Sequence, residues 1–197
     1  MNAFWTAEEA AFRRTLREHF GAAGGRETPG ALEIPGSLGL AGRAAVAEEA
    51  ARRGPGPGRA ATRQADGPGS DGPAAAAVLA CSRLAGTAAH VLAAGLGPAR
   101  ERGAFASSLM GCRDIQESLA GLVTGAELMR LHACRLCRLL DRGDEARADA
   151  ESVRVLAGLR AFAGEVRTVA VSLLGAAWAA ANLDEDGTAP VDERTTP

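Results

Sequence analysis

Lysine and tyrosine are absent from this chain, and all 22 of its basic residues are arginine. Without a lysine amine it has neither Schiff-base chemistry nor a Walker-type phosphate loop. Aromatic residues make up only 4% and β-branched residues are few, while Ala, Leu, Arg and Glu are abundant, a composition that favours helices over sheets. Charge of one sign is lacking as well. The 22 basic and 24 acidic residues leave a net charge of -2 and no basic tail, so neither a nucleic acid nor an anionic membrane is expected as a partner. No apolar run is read as approaching the roughly 20 residues of a bilayer-spanning helix. The N-terminus opens on Trp5, Glu8 and Glu9 rather than on a basic segment before an apolar core. The expectation is a cytoplasmic protein whose 197 residues form one domain, with at most a small extra piece.

Four cysteines, Cys81, Cys112, Cys134 and Cys137, are expected to be reduced thiols in such a compartment. Cys134 and Cys137 form a CxxC behind His132, yet no second ligand pair accompanies them, and the motif falls in mid-helix rather than at a strand-to-helix turn. Packed or idle thiols and no metal site are the expectation. His90 and His132 lack partner ligands at metal spacing. Arg135, Arg138, Asp141 and Arg142 read as a solvated helix face.

Along the chain, residues 3 to 20 read as an amphipathic helix opened by a capping box of Thr6 and Glu9, with Trp5, Phe12, Leu16 and Phe20 on one stripe. A turn-rich stretch through Pro29, Pro35 and Gly39 leads to a short helix from about Ala41 to Arg53. These form an N-terminal helical segment, residues 1–53. A Gly/Pro-rich linker, 54–73, follows, almost devoid of large apolar residues. Pro73, behind Asp71, suits the first position of a long Ala-rich helix to about Arg100, and a loop spans Gly103 to Gly111. The next helix, about 113 to 142, carries Ile115, Leu119, Leu122, Ala126, Met129, Ala133, Leu136 and Leu140 at alternating spacings of four and three. The last repeats this seam with Val155, Leu159, Phe162, Val166, Val169 and Leu173, and the Gly143-Asp144 turn makes the pair antiparallel. An all-α, up-down bundle over residues 74–182 is expected, closed by an element from the N-terminal half and trailed by a flexible tail, 183–197.

The stretch from Gly86 to Ala120 resembles the opening of the C-terminal helical domain of acyl-CoA dehydrogenases. That family has a Gly in the first helix, an Arg-x-x-Phe-Gly loop, a Leu three residues later, then Gln-x-x-Gln and Leu-Ala on the next helix. Gly86, Arg102, Phe105, Leu109, Ile115, Gln116, Leu119 and Ala120 fall on those positions without a gap. Residues 169–178 are similar to the family's Gln-Leu-Leu-Gly-Gly segment, with Gly175 on the first glycine. The opening helix with Thr6, Glu8, Glu9, Phe12 and Arg13, and the Val46-Ala-Glu-Glu49 helix, resemble parts of the family's N-terminal helical domain. The resemblance implies FAD as cofactor, an acyl thioester as substrate, and flavin contacts from Arg102, Phe105, Arg113 and Gly175, with the Arg-x-x-Phe loop reaching the flavin of a neighbouring chain.

The departures are informative. Only the 54–73 linker stands where the family carries a β-barrel-like middle domain over the flavin. A family Gln is Arg113 here, another is Ser172, and the second glycine is Ala176. An Arg still suits a phosphate, whereas a lost glycine closes off an approach to backbone. The family's base, commonly a Glu before Gly-Thr, must reach the α-proton beside the thioester carbonyl. Asp186-Gly187-Thr188 mimics it with a shorter side chain, which makes Asp186 the one candidate base. The family's alternative base position falls at Ala74 to Ala77, where no acid stands. Two expectations follow. One is a shortened subunit in a homo-oligomer or a hetero-oligomer with a fuller acyl-CoA dehydrogenase, whose base and flavin would do the chemistry. The other is a helical binding or scaffold protein that kept the fold and lost the redox function.

Overall fold

The computed structural model describes residues 6–22, 39–52, 72–101, 103–104 and 107–183. The linker expected at 54–73 lies outside the described residues apart from its last two positions, and so does the tail beyond Leu183. Six helices carry the described chain: α1 (Ala7–Ala22), α2 (Gly39–Arg52), α3 (Pro73–Glu101), α4 (Arg113–Asp141), α5 (Glu145–Leu174) and α6 (Ala176–Asn182). The all-α expectation holds, with one addition. Within the stretch expected as a loop, Gly103–Ala104 and Ser107–Ser108 pair antiparallel as β1 and β2, and a 3-10 turn, Leu109–Gly111, leads into α4.

Local chemistry sets the ends. The carbonyl of Thr6 accepts the N–H of Ala10 (3.0 Å), as an N-cap residue does, while the side chain of Glu9, the other half of the expected capping box, is not described. Pro73 starts α3, where its missing N–H costs nothing. One donor of that first turn, the Ala74 N–H, reaches Asp149 Oδ1 on α5 at 3.3 Å, so the cap is supplied across the bundle. Gly143 closes α4 at φ +71, and its N–H and that of Asp144 return to Leu140 and Leu139.

Both seams point inward. Leu119, Leu122, Ala126, Met129, Ala133 and Leu136 of α4 are buried together with Val155, Leu159, Phe162, Val166, Val169 and Leu173 of α5, against Val78, Leu84 and Val91 of α3. Such burial is the main favourable term in folding. Glu151 meets Arg135 and Phe162 lies over Gly125, so α4 and α5 run antiparallel. Asp149 meets the start of α3 while Leu173 meets Gly95 near its end, so α3 and α5 run parallel. The order is up, down, up.

The fourth element is α2, which packs along α3 and is buried on nearly every side from Ala44 to Ala51. It crosses so near Gly86 that a Cβ there would lie 2.1 Å from the Glu48 carbonyl oxygen. Helix α1 rests on α2 through Phe12 and Leu16 against Ala45, Val46 and Ala50. Trp5 and the side chain of Phe20, expected on the same stripe, lie outside the description.

One expectation is corrected. α3, at 29 residues, is long and apolar enough to cross a membrane by length and composition, contrary to the reading that no such run exists; 67% of its most apolar window is buried inside the fold. Its apolarity comes from Ala, Leu and Val on a helix surrounded by α2, α4 and α5. Gly175 ends α5, with a φ of +97 and a ψ of 157 that fall in a region open essentially to glycine alone. The chain turns back there, and Trp178 of α6 stacks on His90 of α3, ring centroids 5.6 Å apart.

Candidate functional site

Of the residues to which the resemblance assigns flavin contacts, the described two, Arg113 and Gly175, lie at one end of the bundle. The antiparallel register that sets Arg135 beside Glu151 and Gly125 beside Phe162, extended to the first residue of α4, brings Arg113 level with the last residues of α5, next to Gly175. The end of α3, the β1–β2 pair and the 3-10 turn lie at that same end. Arg102 and Phe105, which flank and join β1, lie outside the described residues, and so does Asp186.

The described members of the set are already engaged. Arg113 is 86% exposed and its Nε donates to Glu117 Oε1 at 2.7 Å, one helical turn on. The Gly175 N–H donates to the Val171 carbonyl at 3.0 Å, closing α5. Nothing approaches within 4 Å of a Cβ built on Gly175, so positive φ, rather than a close neighbour, requires glycine there. Gln116 donates to the Met110 carbonyl at 2.8 Å and ties α4 to the 3-10 turn. These groups do not form a flavin cradle by themselves: one exposed guanidinium is the available anion contact among them. The alternative base position is filled by core, with Ala74 and Ala77 at 1% and 0% exposure.

Three of the four cysteines are buried, and Cys112, just before α4, is half-buried. Cys81 is buried on α3, and burial pushes its thiol up to about 12; Cys134 and Cys137 are buried within α4. Among the described residues no three His, Cys, Asp or Glu side chains gather as a metal-holding group. His90 donates from Nδ1 to the Arg52 carbonyl (3.1 Å) at the end of α2; burial lowers its pKa, against the effect of that hydrogen bond.

Sequence reasoning missed the most elaborated polar cluster. Glu48, 3% exposed, lies where α1, α2 and α4 meet. Its Oε2 accepts from Arg13 Nη1 at 2.7 Å, and its Oε1 accepts from Arg130 Nε at 2.7 Å and Arg52 Nη2 at 3.4 Å. Arg130 also pairs with Glu127. Burial alone would push the Glu48 carboxyl up, but the guanidiniums of Arg13 and Arg130 hold it below the usual carboxylate range. Burial acts to lower Arg130, and the charges of Glu48 and Glu127 outweigh it, so its pKa is raised. The sequence signal was a carboxylate in the middle of a run of alanines, a place where water cannot solvate it and an ion pair must.

No family model matches this chain, and neither the curated proteins nor the solved structures contain a match to it.

Proposed function

We propose that the chain is an acyl-CoA dehydrogenase-like helical subunit that acts in the cytoplasm within a FAD-dependent acyl thioester dehydrogenase assembly, beside a fuller partner chain. The observation that carries this reading is the contact at Gly86. Two segments singled out independently for their resemblance to the family, the Val46-Ala-Glu-Glu49 helix and the Gly86 helix, pack on each other, and Gly86 admits the backbone of the other at a distance no side chain would allow. A shared end for Arg113, Gly175 and the β1–β2 pair adds to it. This chain supplies helical surface and arginine; flavin binding in the main, and the base, belong to the partner.

A second reading, a helical binding or scaffold protein without flavin, is favoured by the Arg113–Glu117 pair and by the Gly175 N–H already bonded to Val171. Flavin content of the complex purified from its own cells separates the two. Arg102→Ala and Arg113→Ala are expected to lower flavin per complex with assembly and helicity intact, because each removes a charge-assisted contact to phosphate. Unchanged flavin in both variants of an intact complex contradicts the subunit reading, and a complex without flavin supports the scaffold.

A further inference from the structure

The cleft between α1, α2 and α4 has no part in the reading above. It encloses about 420 Å³, within the range of small-molecule sites. Four guanidiniums line it: Arg13 and Arg17 from α1, Arg52 from α2 and Arg130 from α4. They face the three carboxylates of Glu48, Glu49 and Glu127, so the walls carry one positive charge in excess.

The pairing inside the cleft is uneven. Glu48 draws in Arg13, Arg130 and Arg52, and Glu127 takes a second edge of Arg130. Arg52 is served poorly: its Nη2 reaches Glu48 at a long 3.4 Å, and its Nε is buried with no hydrogen-bond acceptor, the nearest carboxylate oxygen, on Glu49, being 3.8 Å away. The Arg52 side chain is nonetheless 36% exposed, so part of this weakly held guanidinium is open to an oxyanion from the cleft, which would add a charge-assisted hydrogen bond. Arg17 stands exposed at the mouth. Ala10, exposed on α1, supplies apolar surface to the lining, next to the buried Leu16 and Ala45.

We propose that this cleft binds a small monocarboxylic acid, its carboxylate held between Arg17 and Arg52 and its short apolar body laid against Ala10. A single negative charge matches the single excess positive charge, and the planar fork of Arg52 suits a carboxylate. A phosphate dianion would bring a second negative charge up against Glu48, Glu49 and Glu127, so it is the disfavoured oxyanion.

Isothermal titration of the full chain with sodium butyrate tests this, with inorganic phosphate and sodium chloride at matched ionic strength alongside. Butyrate is expected to bind saturably and more tightly than phosphate. Arg52→Gln and Arg17→Gln are each expected to weaken it about tenfold, the size of one charge-assisted hydrogen bond, with helicity by circular dichroism unchanged. Should Arg52→Gln fail to fold, the exposed Arg17→Gln carries the comparison alone. Absence of saturable butyrate binding, undiminished binding in the folded variants, or tighter binding of phosphate each overturns the proposal.

Discussion

Glu48 and Gly86 show how single residues hold the N-terminal helices to the bundle. Glu48 joins α1, α2 and α4 through Arg13 and Arg130, residues 35 and 82 positions away in sequence. Removing its charge leaves those guanidiniums half-buried without their counter-ion, so Glu48→Gln is expected to destabilise by about 3 kcal/mol at neutral pH, measured by urea unfolding. The pH dependence has a definite sign. The folded carboxyl titrates below its unfolded value of about 4.3, so its contribution is fully present above that value and is lost as pH falls through the depressed folded one. Glu48→Gln is therefore expected to differ from the wild type at pH 7 and to approach it at strongly acid pH; a constant difference across the range would contradict the ion-pair account. At Gly86 an added Cβ meets the Glu48 carbonyl oxygen at 2.1 Å, a backbone atom that cannot step aside. Gly86→Ala is expected to cost about 1–3 kcal/mol or more, by the same measurement. At Gly95 the nearest atom is the Leu173 Cδ1 tip, at 2.9 Å, which turns away easily, so Gly95→Ala is expected to cost clearly less.

Among the helices, periodicity made the long elements legible. Alternating spacings of four and three placed the seams of α4 and α5, and every seam position but Ile115 and Leu140, at the two ends of the first, is buried. Leu119→Ala and Phe162→Ala are each expected to destabilise by roughly 2–5 kcal/mol, since both remove large side chains from the shared core. Unaltered thermal midpoints for both would refute that seam. Other features were illegible for physical reasons. Leucine before Gly175 and alanine after it both favour helix, so local propensity does not announce the turn; the Trp178–His90 stack, a contact between residues far apart in sequence, accompanies it. The apolarity of α3 spreads over alanines, which blur the contrast between faces, so it does not stand out as a continuous run. The Glu48 cluster was hidden because its partners sit on three separate helices, and no motif spacing records an ion pair closed only by the fold.

For the whole molecule, the bundle accounts for its own core, and the proposed function falls on the end that carries Arg113 and Gly175. Arg113 and Gly175 reach that end together, but one carries a surface ion pair and the other an ordinary helix closure. An exposed pair of this kind contributes little to stability, so exchanging Glu117 for a phosphate of another chain, as the proposed function has it, would cost Arg113 little. A native mass spectrum of the protein purified gently from the cells that make it tests this account most directly. The account predicts a complex whose extra mass fits a second, larger chain together with FAD. A bare homo-oligomer without flavin would contradict it.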